Sequence, residues 1–273
     1  MVGAADLHVH TTHSDGVCSP GEVVQAAANL RLGALAITDH DTLSAIAVAQ
    51  PDADRLGIEL VAGIELTAER DGREVHILGH FVRPDDPTLA KAVGAIRAAR
   101  ADRLRALVDR LGELGLRVDL EGLRRAFPRA TLGRKHLADY LARTGQVADR
   151  RSAFDRWLGD DGPATVPKPR LPWAGAIALI RDAGGVAGLA HPPYDLQEAT
   201  LRSYAEGGLG AVEVAGPGVD RRRGERWRGW AAAIGLVPIA GSDFHAADRP
   251  GRWLGSITTP AADLERLRAR RPS

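Results

Sequence analysis

The sequence predicts an α/β fold, either a parallel sheet or an α/β barrel, into which a helical segment is inserted. Short apolar runs alternate with helical patterns up to residue 82 and again after about residue 172. Continuous apolar strands that alternate with helices are typical of sheets whose two faces are both covered. Between residues 84 and 171 the apolar residues recur at helical spacing instead. We therefore predict an α/β core domain at residues 1–83 and 172–273, with a helical insertion domain at 84–171.

Seven strands are predicted from apolar runs bounded by turn residues. They are Ala4–Val9, Ala34–Thr38, Leu60–Leu66, Glu74–Phe81, Val186–Ala190, Ala211–Val214 and Val237–Ala240. In the α/β core, helices are predicted at Pro20–Leu30, for which Ser19 is the expected N-cap, at Trp173–Ala183 and at Arg221–Ile234. In the insertion, a long amphipathic helix through Leu111 precedes shorter helical patterns at Leu137–Leu141 and Phe154–Leu158.

Composition and charge exclude several classes of site. The formal net charge is +1, so no overall field predicts binding to nucleic acid or to a membrane surface. Cys18 is the single cysteine, which excludes a disulfide framework and a cysteine-based zinc site. No apolar run approaches the roughly 20 residues that span a bilayer, and the first residues lack the pattern of a signal peptide. A reducing, cytoplasmic location without a membrane or an obligate protein partner is therefore expected.

Side chains that can bind metal ions follow most of the predicted strands. Because alternate residues of a strand share a face, His8 and His10 are expected about 6.6 Å apart along the strand, close enough to share an ion. Active sites of α/β barrels lie at the carboxyl ends of several strands, so the joint pattern predicts one metal site. Imidazole and carboxylate ligands without sulfur suit zinc, manganese or iron. The motifs are Asp6-Leu7-His8-Val9-His10 with Ser14-Asp15-Gly16, Thr38-Asp39-His40-Asp41, Gly63-Ile64-Glu65, Val75-His76, Ala190-His191-Pro192 and Gly241-Ser242-Asp243-Phe244-His245.

In their order along residues 6 to 245, these motifs resemble those of the PHP (polymerase and histidinol phosphatase) superfamily of metal-dependent phosphoesterases. The resemblance implies a distorted (β/α)7 TIM-like barrel with a site for three divalent metals, either manganese, iron or zinc. It also implies that a metal-bridging water, held by Glu65, His76, His191 and Asp243, attacks the phosphoester. The nine metal ligands that it implies are His8, His10, Asp15, His40, Glu65, His76, His191, Asp243 and His245.

The resemblance further divides these ligands among the three metals. The first metal would be held by His8, His10, Glu65 and Asp243, and Glu65 would bridge to a second metal that His76 and His191 also bind. The third would be held by Asp15, His40 and His245. Beside His40, Asp39 is either a carboxylate that orients a ligand or a cap at the strand end. His13 and His80 are expected to be bystanders, with His13 a candidate for an indirect phosphate contact.

The predicted insertion is expected to cap the substrate, and a basic segment within it bears on the identity of that substrate. Residues 131–136, Thr-Leu-Gly-Arg-Lys-His, resemble the segment of the 3′,5′-nucleotide bisphosphate phosphatase branch in which an Arg and a His two positions later contact phosphate. The resemblance implies that Arg134, Lys135 and His136 bind the substrate phosphate that is not cleaved. A solvated, basic helix start is the alternative interpretation.

Two positions depart from the pattern of that branch. Gly133 stands where Ser is usual, and glycine has no side chain with which to make a serine's contact. The Gly-Arg that often follows the His-Pro motif is replaced by Pro193 and Tyr194, so a phosphate-binding arginine is missing there. Arg252 or Arg249, in the loop after the last metal motif, could contribute that contact instead.

The leading hypothesis is hydrolysis of a nucleotide phosphomonoester, the 3′-phosphate of a 3′,5′-bisphosphonucleotide such as pAp, which gives AMP. The first alternative is 5′→3′ exonuclease action on short RNA or DNA oligonucleotides, and the second is histidinol-phosphate hydrolysis. A structural PHP module of a larger polymerase is the alternative that is not an enzyme. Such modules commonly lose ligands, whereas this chain retains all nine. The expected partner is therefore a small phosphate ester, a nucleotide or a short oligonucleotide.

Overall fold

The computed structural model describes residues 3–168, 170–246 and 251–272, and its central element is a nearly closed barrel of seven strands. The order around the barrel is β1-β2-β3-β4-β6-β7-β8, and the short strand β5 pairs with β3 outside this path. An isolated bridge between Val9 and Phe244 links the first and last sides. The predicted α/β barrel is thus confirmed. The strands are β1 Ala5–Val9, β2 Ala34–Ile37, β3 Glu59–Arg70, β4 Arg73–His80, β5 Leu171–Pro172, β6 Val186–Leu189, β7 Ala211–Ala215 and β8 Val237–Ala240.

One strand of the barrel runs against the rest. β4 is antiparallel to both of its neighbours, whereas the other neighbouring pairs of the barrel are parallel. β3 and β4 form a hairpin around Asp71 and Gly72, which have φ of 52° and 75°. A two-residue turn can join only antiparallel strands, because a parallel pair needs a long crossover. The start of β4, rather than its end, therefore lies level with the carboxyl ends of the other strands.

Ten α-helices and one π-helical turn, Phe154–Leu158, lie within the described ranges. Ser19 caps α1 as predicted: its hydroxyl accepts from the backbone of Glu22, whose carboxylate accepts from the backbone of Ser19. Helices α2, α4, α6, α8 and α10 were not predicted. The helices are α1 Pro20–Asn29, α2 Ile46–Leu56, α3 Pro87–Glu113, α4 Leu120–Ala126, α5 Arg134–Arg143, α6 Arg150–Ala153, α7 Trp173–Asp182, α8 Glu198–Glu206, α9 Arg221–Ile234 and α10 Ala261–Arg268.

Apolar side chains fill the interior of the barrel and keep its strands in close contact. Leu7, Val61, Leu78 and Ile239 come from four different strands and belong to one buried cluster. Where β8 ends, a Cβ atom at Gly241 would lie 2.4 Å from the Cβ of His8. Only glycine therefore allows the chain to pass β1 at this point, directly beside a predicted metal ligand.

The chain divides into two compact units, Met1–Ala92 with Arg170–Ser273, and Val93–Pro169. The first unit contains the barrel. The second is helical and has its own core, which includes Leu107, Leu111 and Leu137. Its boundary falls later than residue 84, because α3 is one continuous helix whose first turn, with buried Leu89, belongs to the first unit. A substrate-capping role for the helical unit stays a prediction. Within the described ranges, no helix combines the length and apolar character that crossing a membrane requires.

Candidate metal centre

The nine side chains predicted as metal ligands lie together, in four overlapping groups of three or four. Within each group, one nitrogen or carboxylate oxygen from every residue lies within 4.8 Å of the others. This convergence of residues 8 to 245 is what the predicted site requires, although the assignment of each ligand to a metal stays a prediction. The groups are His10, Asp15, His40 and His245; His8, His10 and Asp243; His8, Glu65 and His191; and His40, Glu65 and His76.

The backbone at two strand ends is strained where predicted ligands stand. His191 follows β6 with φ of 25°, and Asp243 follows β8 with φ of 48°. Residues with a side chain rarely adopt positive φ, and such conformations concentrate at functional sites. His76 is in the first half of β4 and reaches the same end of the barrel, because that strand is reversed. The fold thus brings both strand ends and one strand start to a single place.

Glu65, on β3, is the centre of the cluster and is 1% exposed. Its two oxygens face imidazole nitrogens from five different histidines. Oε1 lies 2.8 Å from Nδ1 of His76 and 3.0 Å from Nε2 of His191. Oε2 lies 3.1 Å from Nε2 of His10, 3.1 Å from Nδ1 of His40 and 3.4 Å from Nε2 of His8. A single carboxylate therefore links all these rings, as the bridging role predicted for Glu65 requires.

The charges of the cluster are strongly coupled. Burial alone would raise the pKa of Glu65, but its interactions with the imidazoles of His40, His76 and His8 hold that pKa well below its usual range. Burial lowers the pKa of His10, yet hydrogen bonds with Asp243 and Glu65 outweigh this and raise it to about 10. His76 likewise reaches a pKa of about 9 despite its burial, because it faces Glu65. The ionised carboxylates thus hold cationic charge at the site.

The donor set fits divalent metal ions. In neutral His8, Nδ1 carries the proton and donates to Glu213 Oε1 at 2.9 Å, so Nε2 presents a lone pair. That lone pair faces Nε2 of His10 at 3.1 Å and Oε2 of Glu65 at 3.4 Å. Lone pairs that converge in this way repel each other unless a proton or a metal cation lies between them, and a metal ion can accept all of them at once. Nitrogen and oxygen ligands of this kind suit zinc, iron or manganese.

Two buried aspartates hold the segments that carry predicted ligands. Asp39 accepts from the backbone and hydroxyl of Thr11, at 2.7 and 2.6 Å, and from the hydroxyl of Ser14 at 2.5 Å. Ser14 Oγ in turn lies 3.4 Å from Nδ1 of His10, which favours the orienting role of Asp39 over the cap. Asp6 accepts from the backbone and hydroxyl of Ser242, directly before Asp243.

The remaining residues of interest in the barrel unit have distinct surroundings. Arg252 Nη1 donates to Oδ2 of Asp243 at 2.6 Å, so this guanidinium lies at the metal cluster, whereas Arg249 is outside the described residues. The ring of His13 hydrogen-bonds Ser44 at 2.7 Å. His80 lies 2.9 Å from the carbonyl of Leu7, and burial lowers its pKa to about 4, so it stays neutral. These contacts are consistent with His80 as a bystander.

The basic segment that resembles a phosphate-binding motif forms the start of α5 in the helical unit. Arg134 Nη1 donates to Oδ1 of Asp160 at 2.7 Å and to the carbonyl of Leu158 at 3.0 Å. His136 is 5% exposed, and its Nδ1 accepts from the backbone of Gly133, which leaves the proton of the neutral ring on Nε2. Lys135 between them is partly buried. Their contact with substrate stays a prediction.

Sequence reasoning missed Glu213. This carboxylate interrupts the otherwise apolar run of β7, residues 211–215, and is 2% exposed. An acidic residue at the centre of a buried strand requires hydrogen-bond donors, because an isolated buried charge is costly. A single acidic residue within an apolar strand was therefore the sequence signal that could have identified Glu213. In the structure, its hydrogen-bond donors are His8 and His191.

Comparison with known proteins identifies relatives over nearly the whole chain. A family model described as the PHP domain matches residues 6–147. A 5′-3′ exoribonuclease of Haemophilus influenzae is 34% identical over 254 residues, covering 90% of this chain and 91% of that protein. A 3′,5′-nucleoside bisphosphate phosphatase of Chromobacterium violaceum is 34% identical over 257 residues, covering 92% and 90% respectively.

A solved structure shows the same relationship in three dimensions. The crystal structure from Bifidobacterium adolescentis, described as a metal-dependent phosphoesterase, has a TM-score of 0.90 and 29% identity. The superposition covers 100% of this chain and 98% of the chain from Bifidobacterium adolescentis. The family match, the barrel and the cluster of metal-competent side chains agree with one another. The chain belongs to the PHP domain family and is a metal-dependent phosphoesterase, a hydrolase that acts on phosphoester bonds.

Proposed function

We propose that this phosphoesterase removes the 3′-phosphate of a 3′,5′-bisphosphonucleotide such as pAp, with three divalent metals bound by the nine clustered side chains. The observation that carries the substrate assignment is the start of α5, where Arg134, Lys135 and His136 are consecutive. The Chromobacterium violaceum relative, which is named for this activity, supports the same assignment. Manganese, iron and zinc all suit the nitrogen and oxygen ligands.

The protein side chains have separable tasks in this proposal. Bound divalent metals would supply an activated water and neutralise negative charge on the scissile phosphate. Glu65 holds the imidazoles in place through its contacts of 2.8 to 3.4 Å, and Oδ1 of Asp243 lies 3.5 Å from Nε2 of His10. Arg252, which donates to Asp243, has further guanidinium donors that can bind a phosphate oxygen. Arg134 and His136 bind the phosphate that remains on the product.

We expect Arg134→Ala to lower kcat/KM for pAp about 100-fold, the loss of about 2.7 kcal/mol that a charge-assisted phosphate contact can supply. Turnover of p-nitrophenyl phosphate should stay within about threefold, because that substrate has no second phosphate. Steady-state phosphate release on both substrates measures the difference. Arg151→Ala is the matched control, since Arg151 is an exposed, ion-paired arginine of the same unit. Equal losses on both substrates would argue against the assignment.

The second candidate function, exonuclease action on short oligonucleotides, is favoured by the charge of the helical unit. Residues 93–169 contain 16 Arg and Lys against 10 Asp and Glu, a formal charge of +6. The rest of the chain contains 20 basic and 25 acidic residues, a formal charge of −5. The near-neutral total therefore conceals a basic unit. Basic surfaces of this kind attract a phosphate backbone.

A pocket within the helical unit concentrates that charge. Its volume is about 150 Å³, and Arg97, Arg100, Arg105 and Arg124 line it together with the apolar side chains of Leu104, Leu120 and Leu132. No acidic side chain is among its described lining residues. Within the described ranges Arg97 makes no ion pair, so its charge is available to an anion. A nucleotide in this pocket could place its phosphate against the arginines and its sugar or base against the leucines.

If this pocket takes a backbone phosphate, the double variant Arg97→Ala/Arg100→Ala should weaken binding of a 5′-phosphorylated pentanucleotide about tenfold. A plot of the logarithm of the binding constant against the logarithm of the salt concentration has a negative slope. Each phosphate contact that is lost should make that slope less steep by about 0.7. Fluorescence anisotropy over a salt series, in the presence of EDTA, measures binding without cleavage. Turnover of pAp should not change. A matching loss on pAp would instead place the pocket in mononucleotide binding, and Arg151→Ala again serves as the control.

A further inference from the structure

Glu213 makes two hydrogen bonds that join separate parts of the metal centre. Its Oε1 lies 2.9 Å from Nδ1 of His8, on β1. Its Oε2 accepts from the backbone N–H of His191, two residues after the end of β6, at 2.5 Å. β7, which carries Glu213, lies between β6 and β8 in the barrel. One buried carboxylate thus contacts a side chain from one segment and the backbone of another.

The first contact determines how His8 faces the site. A carboxylate opposite Nδ1 keeps the proton on that nitrogen and turns Nε2 inward. Nε2 then lies 3.4 Å from Oε2 of Glu65 and 3.6 Å from Oδ1 of Asp243. Without Glu213, the ring could carry its proton on either nitrogen or rotate about its side-chain bonds. Its lone pair would then be available to a metal for only part of the time.

The second contact holds a strained backbone. His191 has φ of 25°, which a residue with a Cβ adopts only when its surroundings fix it. The carboxylate that accepts the hydrogen bond from this N–H is buried, so the bond supplies such a constraint. The same residue places Nε2 at 3.0 Å from Oε1 of Glu65. A relaxed backbone at this position would move that nitrogen away from Glu65.

The two contacts converge on opposite oxygens of Glu65. His8 faces Oε2, whereas His191 faces Oε1. A purely structural position in the middle of β7 would be filled by an apolar residue like Ala211, which faces the same side of the strand, because burying a carboxylate is costly. We propose that Glu213 is a positioning residue that prepares His8 and His191 together, so that metal binding on both sides of Glu65 depends on it. This inference rests on the metal-binding part of the proposed function.

The test is Zn²⁺ binding by the full-length protein, measured by calorimetric titration against a competing chelator. For Glu213→Gln we expect the affinity of two zinc sites to fall 10- to 100-fold, the usual effect of removing a carboxylate behind a ligand. Glutamine has the same shape as glutamate, but its NH2 group would face one of the two N–H donors, from His8 or His191, in place of an accepting oxygen. The increase in Tm on adding Zn²⁺ should shrink in parallel. Asp263→Asn is the matched control, since Asp263 is a buried carboxylate on α10 that pairs with Arg228 and Arg266.

A second variant keeps the proposal testable if the glutamine protein folds poorly. Glu213→Asp retains the charge but is one methylene too short to reach both donors, so its zinc affinities should lie between those of Glu213→Gln and the parent. Unchanged zinc binding by a folded Glu213→Gln protein, or a loss at one site only, would overturn the proposal. Because the readout is Zn²⁺ rather than pAp turnover, a wrong nucleotide substrate leaves this test unaffected. A parent protein that binds no zinc would contradict the proposed metal centre itself.

Discussion

Replacing Glu65 with glutamine is expected to lower kcat for p-nitrophenyl phosphate by about three orders of magnitude, equal to about 4 kcal/mol of transition-state stabilisation. The carboxylate faces five imidazoles at 2.8 to 3.4 Å, so its charge is shared by ligands of more than one predicted metal. An amide of the same shape removes that charge and presents an NH2 group to some of these nitrogens. Steady-state phosphate release, together with metal content by mass spectrometry, measures the loss.

The loss in Glu65→Gln must be separated from a general effect of altering β3. Glu69→Gln provides this control, because Glu69 lies on the same strand but is exposed. We expect Glu69→Gln to retain full activity and metal content. The bridging assignment would be wrong if Glu65→Gln kept activity within tenfold of the parent and bound the same number of metals.

Removal of the metals is expected to abolish hydrolysis and to lower Tm by several degrees. A ligand present at 1,000 times its Kd stabilises the folded state by about 4.1 kcal/mol per site. For a chain of this size each kcal/mol corresponds to a Tm shift of roughly 2 °C, so one such site contributes roughly 8 °C. Without bound metal ions, the buried carboxylates and imidazole lone pairs of the cluster repel one another, and only protons can offset that repulsion. Dialysis against EDTA, followed by calorimetry and a phosphate-release assay, measures both effects.

Separate addition of Mn²⁺, Fe²⁺ and Zn²⁺ to the dialysed protein should restore Tm and activity, and the most effective ion identifies the working metal. The Glu65→Gln protein is the control, because its Tm should respond only weakly to EDTA. Full activity of the parent protein after exhaustive chelation would contradict metal dependence at this cluster.

The sequence predicted the elements whose residues repeat a simple pattern. The seven barrel strands and helices such as α1 and α9 have continuous apolar runs or clear caps, so local physics was sufficient. Helix α2 was missed because Pro51 lies inside it and normally disrupts a helix. Helix α10 is short, with few apolar residues to show a period. The reversal of β4 was implied by the short turn at Asp71–Gly72, but the predicted parallel sheet did not use that signal.

For the site, the prediction depended on residue types that stand at strand ends. All nine positions named from the family motifs lie in the cluster. The supporting contacts could not be predicted in the same way, because Glu213 and Asp39 act through partners that are distant in sequence. Nor does the sequence show that His191 has positive φ, since this conformation is imposed by its surroundings. Strand-end patterns and the family motifs therefore named the nine clustered side chains, and tertiary structure was needed to show what holds them.

The β3–β4 hairpin limits how the length of this chain can vary. Glu65 and His76 are 11 residues apart, and Thr67 stands opposite His76 in the ladder. Because alternate side chains point to opposite faces, inserting or deleting one residue at Asp71–Gly72 would turn His76 out of the cluster and bring an apolar neighbour into its place. Substitutions at the turn are compatible with the site, whereas single-residue indels are not. The spacing between these two residues is thus a criterion for recognising, among diverged homologues, the chains that have kept a working centre.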